Sequence, residues 1–360
     1  MAMSKRIRVL IVDDSAIARD ILEKGLSNFP DIEVVGKASD AWSARDRIVF
    51  LDPDVITLDI LMPKMDGIEF LKRLLPQYPL PVVIVSSVTG SGSIHAIEAL
   101  DAGAVGVVAK PDAQDKNGLR VMIDTLAQEI RQAAVADIRK ARKPLRQIHQ
   151  ADSRRNRIQV EPSSRLIAIG ASTGGTAVLN TIIPLLSINI PPVVIVQHMP
   201  PVFTRLFAEA LDKMSAVTVR EASHGERVLP GQVLIAPGDF HMSIKRDASG
   251  WTIFLSQEEK VNGHRPSVDT LFYSVAREAG SKAIGLLLTG MGKDGAQGLL
   301  HMRRAGARCF SQNSESSVVY GMPKEAWEIG ASEKELSIEQ MPAALMSSVH
   351  TSTVANYERE

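Results

Sequence analysis

A serine stripped of bulky neighbours is the first residue of this chain that suggests chemistry. Ser172 lies in "LIAIGASTGG", residues 166–175, where an apolar run enters a glycine and two more glycines follow the hydroxyl. Gly170 to Gly174 match G-x-S-x-G, with a strand-like segment before and a helix-like segment after. That is the setting of a nucleophile on a tight strand-to-helix turn. Small neighbours admit a carbonyl substrate, and the following helix N-terminus offers unpaired N–H groups to a developing oxyanion. Taken alone, the stretch fits equally well a glycine-rich loop gripping a phosphate, with the serine as a helix cap. G-x-G-x-x-G is absent, which weakens the dinucleotide version.

A serine hydroxyl needs a base, and the base an orienting acid. His198 follows "PPVVIVQ" and Asp294 follows "AIGLLLTGMGK", so each comes past the end of an apolar strand candidate. Ser172, His198 and Asp294 together favour serine hydrolysis. Their order along the chain differs from the Ser…Asp…His order of α/β-hydrolases, so the expected triad is a separate solution on an open sheet. His264 and Arg265, in "NGHRPSVD", are candidates for substrate contact, Arg265 by pairing with a carboxylate. A zinc site of His198, His241 and His264 is a rival that lacks short ligand spacing.

A second cluster is acidic. Asp13 and Asp14 end one strand candidate and Asp59 another; Ser86 and Ser87 end a third, and Lys110, followed by Pro111, a fourth. In a doubly wound sheet these positions share the edge where ligands bind. Three carboxylates crowded there repel unless a hard divalent cation such as Mg²⁺ sits among them. With metal bound, one carboxylate can attack a phosphoryl group while a lysine and a hydroxyl steady the transferred oxygens.

The elements that must position these residues form two α/β blocks. Strand candidates at 7–12, 33–36, 54–58, 81–86 and 104–109 alternate with amphipathic stretches near 15–28, 41–50, 67–77, 91–102 and 118–135. Fully apolar strands in β-then-α order predict a five-stranded, doubly wound parallel sheet covered on both faces, flavodoxin-like in layout. Residues 137–163 carry eight Lys or Arg against three acids, and two prolines, and read as a basic linker or a docking strip for an acidic partner. Beyond them the alternation resumes less regularly as a larger α/β open-sheet unit, and "HMSIKRDASGWTIFLS" reads as a β-hairpin. The expected division is 1–136, a linker at 137–163, 164–345, and a tail at 346–360.

The composition bounds the rest. At 360 residues two domains are expected, and the 41 basic and 41 acidic residues cancel, so nothing global advertises nucleic acid or an anionic membrane. The single cysteine, Cys309, rules out an internal disulfide and fits a reducing compartment. No apolar run reaches the ~18 residues of a membrane span, and "MAMSKRIRVLIVDD" lacks the apolar core of a signal peptide. A soluble, cytoplasmic monomer is expected.

The acidic cluster, with Ser86 and Lys110, resembles the receiver domain of response regulators over residues 5–135. Receiver, basic linker and "GASTGG…VQHMP…HRPSVD…LLTGMGKDGA…VVYGMPKEA" together resemble the chemotaxis protein-glutamate methylesterases, whose output domain also acts as a glutamine deamidase. The resemblance implies Asp59 as phosphate acceptor, Asp13 and Asp14 as its metal-binding partners, Ser86 as the switch hydroxyl, Lys110 as the phosphate contact, and a cis Lys110–Pro111 bond. It implies Ser172 as nucleophile, His198 as base and then acid, Asp294 as orienting acid, the Met291 N–H as oxyanion donor, and Thr173 lining the site. Implied partners are methyl-accepting chemotaxis receptors as substrate and the chemotaxis histidine kinase as phosphodonor, with Mg²⁺ in the receiver and no cofactor for ester hydrolysis. The receiver would cover the hydrolase cleft until Asp59 is phosphorylated. Leu61, Val107, Ala177, Asn313 and Ser314 depart from the family pattern. A DNA-binding response regulator and a non-catalytic phosphate sink are the rival readings.

Overall fold

The computed structural model describes residues 5–87, 91–111, 117–141, 165–248 and 250–350. The first block alternates β1 (Ile7–Val12), α1 (Ala16–Leu26), β2 (Ile32–Ala38), α2 (Ala41–Leu51), β3 (Val55–Leu58), α3 (Gly67–Leu74), β4 (Val82–Ser87), α4 (Ser91–Asp101), β5 (Gly106–Lys110) and α5 (Gly118–Ala134). The strands form one parallel sheet in the order β2-β1-β3-β4-β5. β3 reads VITL and is buried throughout, as a strand covered by helices on both faces must be. Side chains start the helices: Ser15 accepts from the Ala18 N–H, Asp40 forms a capping box with Ser43, and Asp66 accepts from the Glu69 N–H.

A short helix, α6 (Ile138–Ala141), leads out of this block. The rest of the basic stretch lies outside the described residues, as does the tail from residue 351. The second block contains β6 (Leu166–Ala171), α7 (Gly175–Ile182), β7 (Val193–Gln197), α8 (Phe203–Met214), β8 (Thr218–Glu221), β9 (Gln232–Ile235), β10 (His241–Asp247), β11 (Gly250–Ser256), α9 (Val268–Ala279), β12 (Ala283–Leu287), α10 (Ala296–Arg304), β13 (Arg308–Gln312), α11 (Met322–Glu328), β14 (Lys334–Leu336) and α12 (Met341–His350). Seven of its strands make a second parallel sheet, β14-β13-β12-β6-β7-β9-β8, and β10 and β11 form the antiparallel hairpin. β6 and β7 are buried at every position, and Phe203, Phe207 and Phe272 fill the core beside the sheet. Each such ring stabilises the fold by about 1.5–3 kcal/mol relative to exposure.

One expectation is corrected. The cis proline bond is Arg265–Pro266, and Lys110–Pro111 is trans. Beyond the strands already expected, the sheet carries β8, β9, β13 and β14, all of five residues or fewer, of which β8 and β14 have no apolar run. No helix among the described residues is long and apolar enough to cross a membrane.

Candidate active site

Register brings the candidate nucleophile and base together. β6 and β7 pair Ala171 with Gln197, so the next residues, Ser172 and His198, leave the sheet side by side. The His198 N–H donates to the Ala171 carbonyl at 3.0 Å, and Gln197 Nε2 donates to the Ser172 carbonyl at 3.1 Å. The turn after Ser172 closes with the Gly175 N–H on the Ser172 carbonyl at 2.7 Å. Gly174 has φ +77, a conformation that disfavours any side chain, and a Cβ on Gly170 would lie 2.2 Å from Val268 Cγ1. The absence of bulk around the serine is therefore a packing requirement as well as an opening for substrate.

His198 Nδ1 lies 3.1 Å from Ser172 Oγ, and its Nε2 lies 2.9 Å from Asp294 Oδ2. An ionised Asp294 only accepts, so Nε2 carries the proton and Nδ1 presents its lone pair to the hydroxyl. Ser172 and Asp294 are 4% and 1% exposed. Asp294 sits at the N-terminus of α9: Oδ2 accepts from the Val268 N–H at 2.7 Å, and Oδ1 from Ser267 Oγ at 2.8 Å and the Asp269 N–H at 3.3 Å. Asn262 Nδ2 donates to Oδ1 at 2.8 Å and, at 2.8 Å, to Asp269 Oδ2. Burial opposes the charge of Asp294, but the hydrogen bonds from His198, Asn262 and Val268 outweigh it and hold the carboxyl well below the ordinary range. Sequence reasoning missed Asn262 and Ser267, because nothing in the spacing ties either to residue 294.

The substrate-contact candidates divide. The His264 ring stacks on His198 with centroids 3.8 Å apart, and burial followed by the neighbouring His198 pushes it down to about 3, so it stands neutral. The Arg265 guanidinium is already engaged, by Asp239 Oδ1 at 2.7 and 3.0 Å and by the carbonyls of Gln257 and Glu258. Met291 follows Gly290, where a Cβ would lie 2.7 Å from the Ser172 Cβ, and its N–H takes part in no hydrogen bond among the described residues. Thr173 Oγ1 donates to Gln132 Oε1 of α5 at 2.5 Å. The zinc rival loses His241, whose Nε2 meets the Glu259 carbonyl and whose Nδ1 accepts from the Ser267 N–H.

The acidic site lies at the carboxyl ends of β1, β3 and β5. Val12 pairs with Leu58, so Asp13 and Asp59 emerge as neighbours, and Lys110 Nζ reaches both at 2.9 Å. Oxygens of Asp13, Asp14 and Asp59 lie within 4.8 Å of one another, an all-oxygen set that suits a hard divalent cation. Burial, against the pull of Lys110, raises Asp59 above the ordinary carboxyl range. Ser86 Oγ donates to the Gly92 carbonyl at 3.0 Å, in the first turn of α4.

The two blocks meet at the serine. A cavity of about 430 Å³ is lined by Ser172, Thr173, His198 and His264 on one side and by β5 and α5, including Glu129 and Gln132, on the other. α4 packs on α7 and α8, Asn180 donates to Asp101, and the Asp137 N–H donates to the Val318 carbonyl at 2.8 Å.

The chain matches the CheB methylesterase family over residues 167–345 and the response regulator receiver domain over 9–124. A protein-glutamate methylesterase/protein-glutamine glutaminase of Syntrophotalea carbinolica is 49% identical over 94% of this chain and 96% of its own. That of Salmonella typhimurium is 45% identical, covering 96% and 98%. The Thermotoga maritima CheB methylesterase catalytic domain is 42% identical, covering 52% of this chain and 99% of its own at a TM-score of 0.50. The chain therefore belongs to the protein-glutamate methylesterase/protein-glutamine glutaminase family, with a response-regulator receiver domain at its amino end.

Proposed function

We propose that this chain is a phosphorylation-activated serine hydrolase that removes methyl groups from glutamate esters of methyl-accepting chemotaxis receptors and deamidates glutamines there. The single observation that carries it is the row Ser172 Oγ, His198 imidazole, Asp294 carboxylate, joined at 3.1 and 2.9 Å. Ser172 attacks the ester carbonyl as His198 Nδ1 takes its proton. His198 then protonates the departing methoxide, and a water activated by the same nitrogen frees the carboxylate. Asp294 stabilises the imidazolium from its place at the head of α9. The Met291 N–H is the oxyanion donor, and losing such a donor costs about 10²–10³-fold. A glutamine follows the same path with ammonia leaving.

Regulation runs through the receiver, which takes a phosphoryl group on Asp59 from the chemotaxis histidine kinase. Mg²⁺ held by Asp13, Asp14 and Asp59 would offset the negative charge there, and Lys110 and Ser86 would receive the phosphoryl oxygens. Drawing Ser86 from the Gly92 carbonyl changes the start of α4, the helix packed on α7 and α8. Phosphorylation then shifts the balance between covered and open catalytic clefts through those differential contacts.

Methanol and ammonia release from methylated receptor membranes, with and without Mg²⁺ and a small phosphodonor, tests the reading. Wild type responds to the phosphodonor, Asp59→Ala does not, and Ser172→Ala releases neither product. Unchanged release by Ser172→Ala would overturn it.

A further inference from the structure

Three glutamines line the catalytic cavity, Gln128, Gln132 and Gln197, and Gln132 is the one held by the hydroxyl of the residue beside the nucleophile. Gln132, in the last turn of α5, belongs to the receiver block, yet its Oε1 is held by Thr173 Oγ1, the residue beside the nucleophile. It lines the same cavity as Ser172 and His198. It presents from a helix a glutamine carbonyl hydrogen-bonded at the site, which is what a deamidase receives from its substrate. Other contacts between the blocks, such as Asn180 with Asp101 and Lys140 Nζ with the Ser314 carbonyl, do not enter this cavity.

We propose that Gln132 is a tethered substrate, a glutamine that Ser172 deamidates within its own chain; this rests on the glutaminase reading above. Ser172 Oγ attacks Gln132 Cδ while His198 Nδ1 takes the hydroxyl proton. The C–N bond breaks as His198 returns that proton to nitrogen, and ammonia leaves. Water then attacks the acyl carbon, His198 carries its proton back to Ser172 Oγ as the ester C–O bond breaks, and residue 132 remains as glutamate. The sum is glutamine plus water to glutamate plus ammonia, with nothing oxidised or reduced. The cavity has room for the water.

The product weakens the arrangement that made it. Glu129 lies three residues earlier on the same helix and lines the same cavity. Burial alone, with no opposing charge or hydrogen bond, pushes its carboxyl up to about 7. A carboxylate formed at 132, one turn away, is a new charge in the same water-poor cavity, where burial already disfavours ionisation of Glu129. Self-deamidation therefore favours the open cleft and leaves a chain with higher unstimulated activity.

The test incubates full-length wild type and Ser172→Ala without receptor and follows residue 132 by peptide mass spectrometry. The digest must carry residue 132 inside a peptide, because cleavage after Arg131 exposes an N-terminal glutamine that loses ammonia by itself. Glutamate accumulates at 132 in wild type and not in Ser172→Ala. Equal conversion in both proteins overturns the proposal. So does an intact Gln132 in a preparation that deamidates receptor glutamines. If receptor glutamines are intact as well, the glutaminase reading falls first and takes the proposal with it. Gln132→Glu should release methanol about tenfold faster than wild type without phosphodonor, equivalent to about 1.4 kcal/mol; release at the wild-type rate would overturn the regulatory consequence.

Discussion

Asn262 offers the sharpest test of how the triad acid is held. Its amide stands between two carboxylates, donating at 2.8 Å to Asp294 Oδ1 and at 2.8 Å to Asp269 Oδ2. A hydrogen bond to a charged group contributes about 1.5–3 kcal/mol. Asp294 keeps Ser267, Val268, Asp269 and His198 as donors when the amide is removed, so the low end of that range applies. About 1.5 kcal/mol off the stabilisation of the imidazolium–carboxylate pair corresponds to about tenfold in rate. The choice of variant matters, because Asn262 has φ 53. Alanine there adds a backbone cost of roughly 1–2 kcal/mol, whereas glycine takes the conformation freely. Asn262→Gly thus isolates the lost amide. Steady-state methanol release should show kcat down about tenfold with KM unchanged, and Asn262→Ala should add a lower melting temperature. A wild-type kcat for Asn262→Gly, whatever its melting temperature, would refute a positioning role.

Three further outcomes follow from the same geometry. His198→Gln should lower kcat by about 10²–10⁴-fold, measured under phosphodonor saturation so that cleft opening is not limiting. Gly174→Ala forces a side chain onto φ +77 and places its Cβ 2.6 Å from Val318 Cβ, so the melting temperature should fall by several degrees in calorimetry. His264 titrates at about 3 in the fold against an ordinary 6.5. Between those values the unfolded chain binds a proton that the folded chain refuses, so stability is full above pH 6.5 and is lost as pH falls toward 3. Urea midpoints measured across that window should slope downward on acidification, and His264→Gln should flatten the slope.

Much of the layout was legible in the sequence because both sheets are parallel and doubly covered. Strands such as IRVLIV and VVIVQ are continuous apolar runs, and the residues that follow such runs must emerge on one sheet edge. Ser172, His198, Asp13 and Asp59 stood out for that reason. β8 and β14, TVRE and KEL, are edge strands with no apolar signature, and their place comes from pairing with β9 and β13. Asn262 and Ser267 were invisible because their link to Asp294 depends on α9 aiming its N-terminus at that carboxylate. Arg265 read as a candidate for substrate contact, yet its partners Asp239, Gln257 and Glu258 converge on it through the turn at the cis Pro266 and the hairpin, which spacing does not encode. Gln132 carried no motif at all: its partner, Thr173, lies in the turn after β6, in the other block.

The most direct measurement is to trap the acyl-enzyme. Wild type mixed with methylated receptor should be quenched in acid within the first turnover and digested. A glutamyl ester on the peptide that contains Ser172, absent when His198 is replaced, is the predicted result. Methanol release with no acyl group on Ser172, or with the acyl group on any other residue, would contradict the account.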